Sequence, residues 1–451
     1  MAGCAVSERE QWGSRAGFVL ATIGSAVGLG NIWRFAYVAG ENGGGVFLIV
    51  YLAFIVLIGL PLVVAELALG RRGQGDAVAA FSTTAGGDSG RWQIAGWLAV
   101  AGAVLILSYY AVIAGWALGY ATGALSGTLW DAAASGYGGY FRAFIAGHVE
   151  PVLWQAAMLT GAAAVVAGGI QGGIERINRW LMPTLAVIVA GLAAYAVSLP
   201  GSGAGVRFLL APDWSAFGRP EVYAAALGQA FFSLGVGMAV FMTYGSYLPR
   251  GVALPASAAA VVAGDTLFAV VAGLAVFPGV FAFGLDPTAG PELAFITLPQ
   301  IFLAMPGGRV VGTLFFLLLT AAALTSMVSL LEVPVAVAMR RLGVRRRAAT
   351  AAATVLVFAL GLPSALGFGL LAHIRIGRHG ILDAVDAAVS NLLLPAGGLT
   401  IALFVGWRIE RAVALREADL GGTRSGVVWL WLLRIAVPGA IGLILVRSAM
   451  A

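Results

Sequence analysis

An all-α integral membrane protein of about eleven transmembrane helices is the fold class this sequence predicts, and three observations predict it. The chain is 60% hydrophobic and 10% charged, with a mean hydropathy of +0.95, where a soluble domain carries roughly 25% charge. Apolar runs of about twenty residues, the length that crosses a bilayer, recur along the 451 residues with short polar breaks between them. Two of the runs, five apart, are interrupted by clustered glycines.

The runs cover residues 15–39, 43–69, 92–125, 152–170, 179–199, 221–248, 253–283, 309–339, 348–363, 381–407 and 427–446. The first is not a cleavable leader. Its lead-in Ser7-Glu8-Arg9-Glu10 contains acid, and it continues into Asn31 and Arg34 instead of a small-residue cleavage site. The seventh run carries Asp265, and the eighth is interrupted by Thr325 and Ser326. The ninth is the shortest. Longer connections fall at 126–151, 200–220 and 284–308, and the apolar stretch 292–305 in the last suits a surface helix over a vestibule. No linker or low-complexity stretch divides the chain, so residues 1–451 read as one membrane domain.

All 26 basic residues are arginine, and they gather in alternate loops: Arg71 and Arg72, Arg176 and Arg179, Arg250, the 340–347 run, then Arg408, Arg411, Arg416 and Arg424. The positive-inside rule makes those loops cytoplasmic. The N-terminus then lies inside and the C-terminus outside a plasma (inner) membrane, with Arg375 and Arg378 as a minor exception. This alternation explains the net charge of +6 better than a nucleic-acid surface does, so no nucleic-acid partner is expected. A lone Cys4 excludes an intramolecular disulfide and a thiolate metal cage. His148, His373 and His379 fall in or near outer loops with no acid–base cluster beside them, so no enzyme is expected.

The glycine breaks are the functional signal. Residues 24–31 read GSAVGLGN and residues 232–238 read FSLGVGM. Each glycine weakens a helix by up to ~1 kcal/mol relative to alanine. A broken backbone at membrane depth is tolerated only where it faces protein or a polar cavity. Glycine can also serve close helix packing; two breaks at matched positions instead fit two five-helix halves, 15–199 and 221–407, with 427–447 as an additional helix. An odd number of helices per half inverts the second half, and broken helices then meet at the midplane, as in secondary transporters. A broken helix exposes amides suited to a carboxylate and carbonyls suited to a hard cation such as sodium. Carbonyls of Gly24, Ala26 and Val27, amides of Leu29 and Gly30, and the Asn31 side chain are available in the first break. Thr325 and Ser326 either bond back to their own helix or add ligands. Asp265 costs at least ~2.5 kcal/mol in a span, which makes a functional partner the default expectation.

These residues resemble the neurotransmitter:sodium symporter family. The resemblance runs from Trp12, Arg15 and GSAVGLGNIWRF at 24–35 through Glu41-Asn-Gly-Gly-Gly45, Pro61, Glu66 and Gly70-Arg71. It continues through Tyr109-Tyr110, Gly228-Gln-Ala-Phe-Phe-Ser233, Thr243-Tyr-Gly-Ser-Tyr247, Leu324-Thr-Ser326, Asp383 and Asp386, covering nearly the whole chain. It implies a leucine-transporter-like fold, a 5+5 inverted repeat with discontinuous helices 1 and 6, that takes up a small-molecule substrate with sodium across the lipid bilayer by alternating access. It also implies two sodium sites: Ala26, Asn31, Ser233 and Asp265 with the substrate carboxylate for the first; Gly24, Val27, Ala322, Thr325 and Ser326 for the second. The implied substrate site comprises Ser25, Ala26, Leu29, Gly30, Ile106, Tyr110, Phe232, Ser233, Gly235, Met238, Ser326 and Leu330. The implied gates are Arg34, Asp386 and Phe232 outside, and Arg9 with Tyr247 inside.

Departures from the family pattern sharpen the reading. Gly28 stands where amine transporters carry an aspartate, which favours an α-amino acid with a free carboxylate. Asp265 stands where relatives often have asparagine, and Ala269 where chloride-dependent members have serine; a fixed charge at Asp265, near Tyr51 and Gln229, predicts chloride independence. Gly235 and Met238 suggest room for a neutral hydrophobic side chain, branched or aromatic, while Ala239 in place of a glycine stiffens the break. The inner-gate aspartate is replaced by Arg340, so either Arg9 leans on Tyr247, Ser246 or Glu332, or the inner gate is weaker and the inward-facing state more populated. The chain ends after its eleventh run where many relatives have twelve. A non-transporting amino-acid sensor or partner-binding protein on the same fold is the alternative reading.

Overall fold

The computed structural model describes residues 10–85, 89–132, 136–287 and 293–450. Arg9, assigned above to the inner gate, lies outside them, as do Cys4, Ser7, Glu8 and Glu292. Among the described residues the only β pairing is two isolated bridges, Gly44 with Pro212 and Ile376 with His379. Nine helices there are long and apolar enough to cross a membrane. A tenth crossing is the pair Arg15–Ala26 and Gly30–Glu41, bent by 51°. The remaining expected span is the sixth, formed by Pro220–Leu234 and Val240–Ser246, each too short to cross alone.

Most boundaries match the apolar runs, and the differences have a common cause. The fifth span begins at Ile170, not 179. Its first turns carry Gln171, Glu175, Arg176 and Arg179, whose polarity read as a loop although they are helical. The ninth span, Arg346–Leu366, likewise starts inside the arginine run. The connection at 284–308 does contain a short helix, Thr297–Ala304.

The broken spans lie at the centre. Ser14 caps the first, its Oγ accepting from the Gly17 N–H at 2.9 Å. The helix stops at Ala26 because Val27 is extended, with φ −70° and ψ 106°, and a π-turn at Gly30–Arg34 resumes it. In the sixth span Gly235, Gly237 and Ala239 all have positive φ, at 70°, 88° and 62°. For Ala239 this left-handed geometry costs roughly 1–2 kcal/mol, so the break is held by tertiary contacts. Glu66 of the second span supplies one, its Oε1 accepting from the Gly237 N–H at 2.6 Å. The tenth span supplies another: a Cβ on Gly237 would sit 2.7 Å from the Leu394 carbonyl oxygen and 3.0 Å from the Gly398 nitrogen. The third and eighth spans pack along one another and frame the breaks from the opposite side.

Candidate functional site

The two breaks face each other through side chains. The Asn31 amide nitrogen donates to Ser233 Oγ at 3.1 Å, to the Asp265 carbonyl at 3.2 Å and to Asp265 Oδ1 at 2.7 Å. Ser233 Oγ donates to Asp265 Oδ2 at 2.8 Å, and Tyr51 Oη lies 3.4 Å from Ser233 Oγ. Asn31 Oδ1 accepts from the Gly28 N–H at 3.0 Å. The Asn31, Ser233 and Asp265 side chains are all buried. Two residues from two other spans, Ser233 and Asp265, thus place three oxygens around the Asn31 NH2.

A second oxygen cluster joins the first and eighth spans. Thr325 Oγ1 lies 2.9 Å from the Ala322 carbonyl and 3.5 Å from that of Val27. Ser326 Oγ lies 3.3 Å from the Val27 carbonyl and 3.4 Å from that of Ala322. Back-bonding to the helix and reaching across it therefore coexist here. Gly24 lies one turn before Val27, with Asn178 and Met182 against it.

Between these clusters is a cavity of about 40 Å³. Ser25, Ala26, Gly30, Ile106, Tyr110, Phe232, Gly235, Met238, Ser326 and Leu330 line it, all ten named above for the substrate site; Gly28, Leu234, Val240 and Ser329 complete the wall. Leu29 and Ser233 do not line it. The Leu29 N–H donates instead to Tyr110 Oη at 3.0 Å, and Ser233 belongs to the Asp265 cluster. Gln229 Nε2 donates to the Gly30 carbonyl at 3.0 Å. A Cβ on Gly28 would meet Tyr110 Oη at 2.6 Å and collide with Ser326 Oγ, so the position admits only glycine in this arrangement.

Phe232 lines both this cavity and a wider chamber of about 420 Å³, whose walls include Trp33, Tyr109, Asp383 and Asp386. The Arg34 guanidinium lies 4.1 Å from the Phe232 ring centroid and 3.8 Å from Asp386 Oδ1. Arg34 Nη1 donates to Ser390 Oγ at 3.1 Å, and Tyr109 donates to Asp386 at 2.8 Å. Tyr109 and Ser390 thus join the Arg34–Asp386 pair, which sequence reasoning missed although Tyr109 stood inside a quoted motif.

At the opposite end, Arg346 pairs with both Glu332 and Glu10, and Tyr247 donates to Glu332 at 2.6 Å. Glu332 is fully buried and Arg346 nearly so. Tyr247 thus lies with Glu332 and Arg346, whereas Arg340 turns away to Asp76, 3.6 Å distant, and to the Gln74 carbonyl. Arg346 was hidden in the arginine run. A buried carboxylate at residue 332 of an apolar span was the signal that some cation had to reach it. Nearby, Trp12 donates from Nε1 to the Tyr244 carbonyl at 3.0 Å and plugs the base of the first span.

The comparisons agree with this architecture. The family model of the Sodium:neurotransmitter symporter family matches residues 9–138 and 146–446. A sodium-dependent transporter of Bacillus subtilis, YhdH, is 39% identical over 96% of both chains. One of Methanocaldococcus jannaschii, MJ1319, is 32% identical over 96% of this chain and 88% of its own. The crystal structure of MhsT in complex with L-phenylalanine superposes with a TM-score of 0.92, at 49% identity over 98% of this chain and all of that one.

Proposed function

This chain belongs to the sodium:neurotransmitter symporter family, a sodium-dependent transporter of many membrane-spanning helices, and we propose that it takes up a neutral, hydrophobic α-amino acid together with two sodium ions, without chloride. The observation that carries this reading is the cavity between two oxygen clusters, with Gly28 where an added side chain would strike Tyr110 and Ser326. The substrate carboxylate meets the Leu29 and Gly30 amides and Tyr110. Its side chain lies among Ile106, Phe232, Met238 and Leu330. The binding of L-phenylalanine by MhsT supports the aromatic end of that class.

The first sodium ion is held by the Ala26 carbonyl and by Asn31, Ser233 and Asp265, three side chains that meet across the first, sixth and seventh spans. The Asn31 side-chain oxygen accepts from the Gly28 N–H, which ties this ligand to the shape of the first break. Asp265 supplies the negative charge that chloride would otherwise bring. The second ion is held by Gly24, Val27, Ala322, Thr325 and Ser326. Arg34, Asp386 and Phe232 gate the outside; Arg346, Glu332, Glu10 and Tyr247 gate the cytoplasmic side of the plasma membrane. The halves 15–199 and 221–407 rock against each other between the two closures, with the N-terminus inside.

Uptake of a panel of radiolabelled amino acids into proteoliposomes tests this. Hydrophobic amino acids are expected to accumulate with an inward sodium gradient and unchanged in gluconate buffer. No sodium-driven uptake of any of them would sink the reading and favour the sensor.

A further inference from the structure

We propose that the tenth and eleventh spans bind the phosphodiester of an anionic phospholipid at Arg434. This arginine is ten residues beyond Arg424, the start of the eleventh span, in the middle of an apolar helix. Among the described residues its interactions are two. Nε donates to the Gly406 carbonyl at 2.6 Å, and the guanidinium lies 5.5 Å from the Trp407 ring centroid. No carboxylate among those residues reaches it, and both terminal NH2 groups are left without an acceptor.

Its surroundings are arranged around it. Each of the two spans widens into a π-turn at the same height, Phe404–Arg408 in the tenth and Leu432–Ala436 in the eleventh. A π-turn frees carbonyls from the regular ladder, and the Gly406 carbonyl is the one that fixes Arg434. A Cβ on Gly406 would lie 3.1 Å from Arg434 Cγ, so the close approach depends on glycine. Trp407 is the penultimate residue of the tenth span. The guanidinium is therefore drawn towards the end of that span whose following residues include Arg411 and Arg416, which is the membrane–water boundary.

What lies outside this cluster is lipid-facing. Trp407 is 64% and Trp431 58% exposed. Trp431 precedes Arg434 by about one turn and shares its helix face. Tryptophan at such a level sits among headgroups, and a cationic pocket between spans at the cytoplasmic end suits an anionic headgroup. The planar fork of Nη1 and Nη2 matches two phosphate oxygens. Exposed Val428 and Ile435 lie beside acyl chains. That apolar flank favours a phospholipid over free phosphate.

Native mass spectrometry of the delipidated full-length protein tests the site, with palmitoyl-oleoyl phosphatidylglycerol, the matching phosphatidylcholine and inorganic phosphate as probes. The wild type is expected to hold one phosphatidylglycerol at least tenfold more tightly than phosphatidylcholine. Arg434→Gln, whose amide still reaches Gly406, is expected to bring that ratio below threefold, and Arg347→Gln to leave it unchanged. An unchanged ratio in Arg434→Gln overturns the proposal, as does full displacement by millimolar phosphate, which would make this a free-anion site. Should Arg434→Gln fail to fold, dibrominated lipids replace it. Brominated phosphatidylglycerol should quench wild-type tryptophan fluorescence more than brominated phosphatidylcholine does, and Trp407→Phe should remove most of the difference. Equal quenching by the two lipids refutes the site.

Discussion

Replacing Arg346 by glutamine should open the cytoplasmic side of the protein far more than replacing Arg34 opens the outside. The two closures differ in burial. Arg346 reaches Glu332, which is fully buried, at 2.6 and 3.0 Å, and Tyr247 completes the carboxylate's coordination. Removing one partner of such a buried pair costs about 3–5 kcal/mol. Glutamine keeps a donor and Glu332 can take up a proton, so the lower end applies, roughly 3 kcal/mol or about a hundredfold shift in population. The outer pair is 3.8 Å apart, with the Arg34 and Asp386 side chains 15% and 33% exposed. Such a pair contributes about 0–1 kcal/mol, and the cation–π contact with Phe232 about 1 more, so Arg34→Gln shifts its equilibrium roughly fivefold to thirtyfold. The assay is the rate at which a water-soluble maleimide, applied from the cytoplasmic face, labels a cysteine placed at buried Thr243 in a Cys4→Ser background. Arg346→Gln should raise that rate about a hundredfold, and Arg34→Gln should not raise it. A rate within threefold of the parent for Arg346→Gln, or an equal rise for both variants, would refute the assignment of the inner closure to Arg346.

Other substitutions report on the ion sites and the break. Asp265→Asn removes the fixed charge beside Asn31; sodium affinity, read as the sodium concentration that half-saturates amino-acid binding, should weaken about tenfold or more, and added chloride should restore part of it. Thr325→Ala with Ser326→Ala should leave the protein folded by thermal melting while lowering the steepness of the sodium dependence towards a single ion. Ala239→Gly relieves a left-handed alanine costing about 1–2 kcal/mol and adds back about 0.4–1 of chain entropy. The melting temperature should therefore hold or rise slightly, and a drop of several degrees would mean the buried methyl matters more than the strain.

The spans were legible because hydropathy over twenty residues reports directly on the solvent around a helix. Boundaries were less so: Gln171, Glu175, Arg176 and Arg179 are polar yet helical, since a span continues past the hydrocarbon edge wherever its backbone bonds stay internal. The cavity walls were legible through the glycine breaks and the family motifs, and ten of twelve expected substrate residues line them. The two exceptions, Leu29 and Ser233, act through a backbone amide bonded to Tyr110 and through a hydroxyl bonded to Asp265. The inner closure was not legible. Glu10 lies 336 residues from Arg346, and a run of arginines at a helix start carries no mark of which one turns inward to Glu332.

The sixth-span break can also be seen as a mechanical part. Gly237 is tied by its N–H to Glu66 of the second span, and any side chain there would strike the backbone of Leu394 and Gly398 in the tenth. A loose hinge would let the two half-helices slide as well as tilt. A joint held from two sides resists that sliding, and the second and tenth spans are what hold it. A tilt of Pro220–Leu234 would then reach Val240–Ser246 as a turn about this point.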